Sequence, residues 1–388
     1  MTTRLAFAAG ERSGDDLGAA VAAEILRLAP DIESSGVTGA RMEASGVERT
    51  AGIDELDVMG LFEVLGHVPR LFRLRRALVK TFIERGVTGF VGFDAPDFNL
   101  GLARALRRRG VRTIQVVAPS VWAWRAYRAA RIARSLDLML TLFPFEPELF
   151  QRAGLNAQFI GHPLADALPL SPDRAAARHH LGLGSDRPVI AMLPGSRPGE
   201  IRRHAALVAD AAERLAAEQG AETLLLLAEE QHRTLFAQAA GRDPVEAGMR
   251  VISGQTRRGL TASDLALAAS GTVTLEALLA KTPLVVFYRL AGSTYQLARA
   301  LRLVKSRWIS LPNVLAGAEL VPERIQHEAT ADRLVADARA WLDDPPGRKR
   351  YGEVALQIHR QLARGAATNA AEAILVETRY AGKEGGGR

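Results

Sequence analysis

Residues 189–201 read Val-Ile-Ala-Met-Leu-Pro-Gly-Ser-Arg-Pro-Gly-Glu-Ile: five apolar side chains, a Pro-Gly turn, then apolar residues at helical spacing through 218. A short unbroken apolar run suits a strand covered on both faces, and such strands build parallel sheets. The unit recurs. Further apolar runs at 5–9, 89–93, 112–117, 138–142, 223–228, 265–268 and 284–288 are separated by helix-period stretches at 14–28, 71–84, 100–109 and 272–281. This alternation predicts an α/β protein with helices on both faces of its sheets. Residues 162–187 interrupt it with Pro163, Pro169, Pro172, Gly182 and Gly184, and the alternation then restarts. Two Rossmann-like domains with a cleft between them are expected: 1–165, a linker at 166–187, and 188–345. The last eight residues, 381–388, contain three consecutive glycines and read as a disordered tail.

Composition narrows the class. Of 388 residues, 48% are hydrophobic and 24% charged, so wholesale disorder is excluded. With no cysteine, disulfides, thiolate nucleophiles and Cys-ligated metal are excluded as well. Metal is not expected: no D-x-D occurs, and the eight histidines show no H-x-x-x-H or H-E-x-x-H spacing. Net charge is +7, and residues 98–136 carry nine Arg with no Asp or Glu. Such a surface attracts phosphate on nucleic acid, anionic lipid or a small molecule. No apolar stretch approaches the roughly 18 residues that span a membrane, and none of the N-terminal residues resembles a signal peptide.

Parallel sheets bind ligands at the carboxyl ends of their strands, so the turns there matter most. The first, Ala9-Gly10-Glu11-Arg12-Ser13-Gly14-Asp15, lacks the G-x-G-x-x-G dinucleotide fingerprint. The bland alternative for it is a glycine turn with an Asp cap. In Gly92-Phe93-Asp94-Ala95-Pro96-Asp97-Phe98-Asn99, Asp97 or Asn99 is placed to cap the next helix. Asp94 comes too early for that and is the preferred general base. Gly195, Ser196 and Arg197, and again Ser270, Gly271 and Thr272, form turns feeding helix N-termini, where unpaired N–H groups favour phosphate. Glu276, one turn into the second helix, is placed to accept hydrogen bonds from ribose hydroxyls; alternatively it is a first-turn Glu favoured by the helix dipole.

Two segments suggest a surface. Trp122 and Trp124 precede Arg125, Arg128, Arg131 and Arg134, a spacing that suits nucleic acid, lipid headgroups or a packed core beside a solvated face. Leu61, Leu65, Val68 and Phe72 share a helical stripe, with Phe62, Val64 and Leu71 beside it and five cations following. That is how an interfacial helix looks, although core-facing helices look similar. Gly66 and Pro69 favour a short surface element over one long helix.

Taken together, AGERSGD (9–15), MGLFEVLG (59–66), GFDAPDFN (92–99), PSVWAWR (119–125), FIGHPLAD (159–166), LPGSR (193–197), ASGTVTLEALLAKTPLVVFYR (269–289) and SLPNVLAGAELVPE (310–323) resemble the lipid-A-disaccharide synthase family, in that family's order. The resemblance implies an inverting glycosyltransferase of the GT-B class, with helices at 346–380 packing back on the N-terminal domain. The implied reaction moves 2,3-diacylglucosamine from UDP to the 6-hydroxyl of 2,3-diacylglucosamine 1-phosphate, giving a β-1,6 disaccharide and UDP without a cofactor. Glu11 and Asp94 match the family's acidic residues at the reacting centre, with Gly10 and Ser13 of the first turn beside the substrate. Arg197, Glu276 and Asn313 match its donor contacts. A cytoplasmic enzyme is expected, peripheral on the inner face of the inner membrane, with the 59–72 stripe supplying apolar insertion and the Arg-rich 98–136 segment attraction to anionic lipid. A homodimer is left open.

Rival readings are a UDP-sugar 2-epimerase, a transferase with an unlipidated acceptor, and a basic nucleic-acid-binding protein. No RRM, KH or helix-turn-helix pattern accompanies the Arg cluster, so nucleic acid is not expected as a partner. A soluble sugar-nucleotide enzyme would have little use for the apolar stripe.

Overall fold

The computed structural model describes residues 3–56, 63–119, 129–184, 186–290 and 307–384, with the side chains of 63–68 and 379–384 left out. All eight expected strands form: β1 (Arg4–Ala9), β4 (Gly89–Phe93), β5 (Arg112–Val116), β6 (Leu138–Thr141), β8 (Val189–Leu193), β9 (Glu222–Leu227), β11 (Leu265–Ala269) and β12 (Leu284–Tyr288). Five were not foreseen: β2 (Glu33–Thr38), β3 (Glu48–Gly52), β7 (Asn156–Phe159), β10 (Met249–Ser253) and β13 (Glu323–Ile325). Every pairing is parallel, in two sheets ordered β3-β2-β1-β4-β5-β6-β7 and β10-β9-β8-β11-β12-β13. Both follow the doubly wound order, which reverses direction between β1 and β4 in one sheet and between β8 and β11 in the other.

Successive strand residues face opposite ways, so each central strand feeds two cores. In β1, Ala6 and Ala8 join a cluster with Phe82, Phe90 and Leu102, while Leu5, Phe7 and Ala9 join Val21, Ile374 and Leu375. In the other sheet, Ile190 and Met192 of β8 pack with Ile201, Val208 and Leu334.

The chain divides into two units, residues 1–166 with 362–388, and residues 167–361. The stretch read as a linker is not bare chain. Helix Arg174–Leu181 has Asp173 capping Ala176 N–H at 2.8 Å, Gly182 ending it at φ 62°, and Ala177 and Leu181 buried. Arg178 also binds Asp264 at 2.6 Å. The surrounding Pro and Gly obscured its helical period. At the other end, helix Pro345–Leu362 falls almost wholly in the second unit. Only helix Ala366–Glu384 packs back on the first, against helix Arg12–Leu28, burying Ala370, Ala371 and Ile374. It runs through residue 384, into the stretch read as a disordered tail.

A second expectation changes at Glu63–Glu84, a single 22-residue helix that carries Pro69 inside it. The short surface element expected there does not form. Leu71 packs against the core, and Phe72 is 54% exposed. Leu61 and Phe62, the side chains of Val64, Leu65 and Val68, and residues 120–128 with Trp122, Trp124, Arg125 and Arg128 lie outside the described residues. Among the described residues, no helix is long and apolar enough to cross a membrane.

Candidate active site

In the first unit the site residues gather where the strand order reverses. Asp94 and Ala95 follow β4 with φ of 51° and 34°, two consecutive non-glycine residues in the left-handed region. Such backbone is costly, and it persists only where the surroundings impose it. Asn99 supplies the constraint: its buried carboxamide donates to the carbonyls of Ala8 (3.1 Å), Phe93 (3.0 Å) and Asp94 (3.1 Å). Gln115 Nε2 donates to the same Asp94 carbonyl at 3.0 Å. Asn99 therefore ties the bend and does not cap a helix, and helix Pro96–Arg107 begins at Ala95 with no side-chain cap. The polar groups freed by the turn outbid the capping role.

The bend turns Asp94 onto the first loop. Its Oδ1 accepts Gly10 N–H at 2.7 Å and its Oδ2 accepts Glu11 N–H at 3.1 Å. Approach is close enough to require glycine, since a Cβ on Gly14 would lie 2.0 Å from Asp94 Oδ2. Burial is the dominant influence on this carboxyl. It raises the pKa from 3.8 to about 7, aided by the Glu11 charge and opposed by the Gly10, Glu11 and Gly14 N–H groups. The Glu11 and Ser13 side chains are exposed beside it. Asp15 does act as a cap, but of helix Ala40–Ala44, accepting from the N–H groups of Gly39, Arg41 and Met42 at 2.9–3.1 Å.

In the second unit a cavity of about 790 Å³ opens at the carboxyl ends of β8 to β12. Gly195, Ser196, Arg197, Ser270, Gly271, Thr272 and Glu276 all line it, as the turns suggested. The two turns differ in what they offer. Glu200 Oε2 accepts Ser196 N–H (3.2 Å) and Arg197 N–H (3.3 Å), and Tyr288 OH donates to its Oε1 at 3.2 Å. The amides expected to meet phosphate at 196–197 are thus held by a carboxylate at the third position of helix Pro198–Gln219, a capping box. Helix Thr272–Leu279, by contrast, starts at Gly271 without a side-chain cap. Its first N–H groups, on Thr272 and Val273, have no acceptor among the described residues. Burial raises the Glu276 carboxyl above its ordinary value, with the Arg257 charge pulling it down.

Sequence reasoning missed Gln255, Thr256, Arg257, Arg258 and Tyr288, all of which line the cavity. Four of them follow β10, an outer strand whose sequence, MRVIS, carries too short an apolar signal to mark the turn behind it. Asn313 goes the other way. It is buried, accepts Leu320 N–H (2.7 Å) and Val321 N–H (2.9 Å), and donates to Val321 O and Glu323 at 2.9 Å. It does not line the cavity. Glu323 in turn accepts from Ser310 and from Ile309 N–H at 2.9 Å, and the Ile309 carbonyl receives the Ser270 hydroxyl at 3.1 Å. Asn313 thus braces, through Glu323, the segment whose Ile309 carbonyl receives the Ser270 hydroxyl.

A family model described as Lipid-A-disaccharide synthetase matches residues 5–377. The chain belongs to the lipid-A-disaccharide synthase family. It is 46% identical over 374 residues to the lipid-A-disaccharide synthase of Pseudomonas aeruginosa strain UCBPP-PA14, covering 96% of this chain and 97% of that one. The Azotobacter vinelandii lipid-A-disaccharide synthase is 45% identical over the same shares of both chains. Membership makes the chain a hexosyltransferase of lipid A biosynthesis. Among solved structures, a putative UDP-N-acetylglucosamine 2-epimerase from Listeria monocytogenes superposes with a TM-score of 0.64 at 14% identity, covering 100% and 99% of the two chains. An S. aureus MnaA–UDP co-structure gives 0.62 at 13% identity, covering 98% and 96%. These likenesses show the α/β fold of GT-B type. The family match sets the epimerase and nucleic-acid readings aside in favour of glycosyl transfer.

Proposed function

We propose that the chain transfers 2,3-diacylglucosamine from UDP to the 6-hydroxyl of 2,3-diacylglucosamine 1-phosphate, with inversion, giving the β-1,6 disaccharide 1-phosphate and UDP. The second unit takes the donor. Its cavity has the size of a small-ligand site, lies at the sheet's reversal point, and presents three guanidinium groups, Arg197, Arg257 and Arg258. These, with the uncapped N-terminus of helix Thr272–Leu279, suit a diphosphate whose negative charge grows as the glycosidic bond breaks. Glu276 suits the ribose hydroxyls.

The observation that carries the chemical step is Asp94, a carboxylate held on a strained bend with its pKa raised to about 7. A base poised near the working pH removes a hydroxyl proton most effectively. Asp94 takes the acceptor's 6-hydroxyl proton as the oxygen attacks the anomeric carbon and UDP departs, and Glu11 orients the acceptor. Gly10 and Ser13 stand at the same turn, the first holding Asp94 and the second open to the sugar. No cofactor enters the scheme. Incubation with both lipid substrates, followed by mass spectrometry, tests it: the disaccharide 1-phosphate should appear, and release of UDP without disaccharide would overturn it.

Both substrates carry acyl chains, so the enzyme is proposed to work peripherally on the inner face of the inner membrane. Exposed Phe72 among exposed Arg70, Arg73 and Arg76 supports this, pairing apolar insertion with attraction to anionic lipid. Phe72→Ser should weaken co-flotation with phosphatidylglycerol vesicles, and unchanged flotation would remove this face from the interface.

A further inference from the structure

The first unit holds another cavity, of about 390 Å³, along the flank of helix Pro96–Arg107. Arg75, Arg104 and Arg131 line it from three different helices, together with Asp97, Gly101 and Ser135. Arg75 is held in place from several sides. Its guanidinium carbon lies 5.3 Å from the Phe72 ring centroid and 5.1 Å from that of Phe98, and a Cβ on Gly101 would sit 2.5 Å from it. One nitrogen reaches the Asp97 carbonyl at 3.4 Å, while the buried Nε has no acceptor. Burial lowers its pKa. Arg104 and Arg131 form no ion pair among the described residues.

Three guanidinium groups against one carboxylate leave a formal charge of +2 around this cavity. Arg75 is half-buried while Arg104 and Arg131 are exposed, so the cost of an unpaired, desolvated cation falls on Arg75, and an anion that fills the space relieves it. Arginine forks match phosphate oxygens bidentately, and a phosphate monoester carries about −1.5 to −2 at neutral pH. We propose that this cavity binds a phosphate monoester, the anomeric phosphate of the acceptor sugar. The proposal rests on the transfer reaction above and names the group that selects its acceptor. Pro96 lines the cavity and lies two residues after Asp94, so base and phosphate site flank the start of one helix. The acceptor likewise carries its reacting hydroxyl and its phosphate on one sugar ring. Phe72, exposed on the helix that carries Arg75, gives an acyl chain an apolar neighbour.

The test uses the full chain and the double variant Arg104→Ala/Arg131→Ala, both at exposed positions. Calorimetric titration with glucosamine 1-phosphate reads the cavity without any turnover. The variant should bind at least about ten-fold more weakly, the equivalent of one lost charge-assisted hydrogen bond. Equal binding by both proteins overturns the site, whatever reaction the enzyme performs. Kinetics then assign the occupant, through the ratio of kcat/KM for the 1-phosphorylated acceptor over its dephosphorylated counterpart. That ratio should exceed one in the parent and collapse toward one in the double variant, mainly through KM, while Arg108→Ala, outside the lining, leaves it where it was. If the variant keeps the ratio but loses binding to phosphatidic acid vesicles, the phosphate comes from a lipid headgroup and the acceptor assignment falls. If the parent makes no disaccharide at all, the transfer reading fails, and the titration alone decides the phosphate site.

Discussion

Asp94 sits under two opposing demands. The Gly10, Glu11 and Gly14 N–H groups favour the carboxylate, yet burial wins and raises the pKa from 3.8 to about 7. The folded protein therefore keeps a proton that the unfolded chain has released between those pH values. Stability from this group is complete below about pH 4 and is lost as pH rises through 7, whereas the base role proposed for Asp94 needs the ionised form, so activity is expected to rise over the same upper range. Asp94→Asn separates the two. Turnover should fall about 10²–10⁴-fold with UDP affinity unchanged by calorimetry. Thermal melts at pH 5 and 8 should show the parent losing stability relative to the variant as pH rises; parallel melts would mean that the group does not titrate near 7. In the sequence Asp94 draws attention as a carboxylate directly after an apolar strand, too early to cap the helix that follows. Asn99 was not legible, because its three carbonyl partners come from two strands brought together only by folding. The loop brace that Asn313 forms with Leu320 and Val321 was hidden for the same reason.

The five unrecognised strands share a cause. β3, β7, β10 and β13 are the outer strands of the two sheets, and β2 lies next to one of them. An outer strand is covered less completely and needs fewer apolar residues, as Glu48–Gly52 (ERTAG) and Asn156–Phe159 (NAQF) show. Central strands such as Val189–Leu193 are buried along their whole length and announce themselves. The omission propagated, since an unrecognised β10 concealed Arg257 and Arg258 in the turn behind it. Short elements also depend on single polar contacts that sequence hardly reveals. Helix Ala40–Ala44 has five residues, and its N-terminal amides rest on Asp15, a residue 24 positions before Gly39. Asp15→Ala should cost about 1–2 kcal/mol, read as a lower melting temperature, and leave the pH profile of turnover unmoved. A shift in that profile would mean that the 40–44 segment reaches the Asp94 loop electrostatically.

At the scale of the molecule, alternation and its restart revealed two doubly wound units, but not where the chain changes unit. The boundary after the second sheet falls at 361/362 and not at 345/346, with helix Pro345–Leu362 almost wholly in the second unit. What commits the next helix to the first unit is specific and distant in sequence. Asp166 accepts the N–H groups of Gly365 (2.8 Å) and Ala366 (2.6 Å), and Asn369 donates to the Ile160 carbonyl at 2.9 Å. Helix Ala366–Glu384 then buries Ala370, Ala371, Ile374 and Leu375 with Leu5, Phe7 and Val21, closing one face of the first sheet. Without it helix Arg12–Leu28 and the face of β5 would lose their cover, and burying Ile374 and Leu375 alone contributes roughly 1.5–3 kcal/mol each, a sizeable share of a domain's total stability. A chain ending at Leu362 should therefore fail to fold its first unit, appearing as aggregation on expression or as loss of the glucosamine 1-phosphate site. A chain ending at Glu384 should melt as the full protein does. If the shorter chain stays soluble with an unchanged melting transition, the last helix covers the first unit without stabilising it.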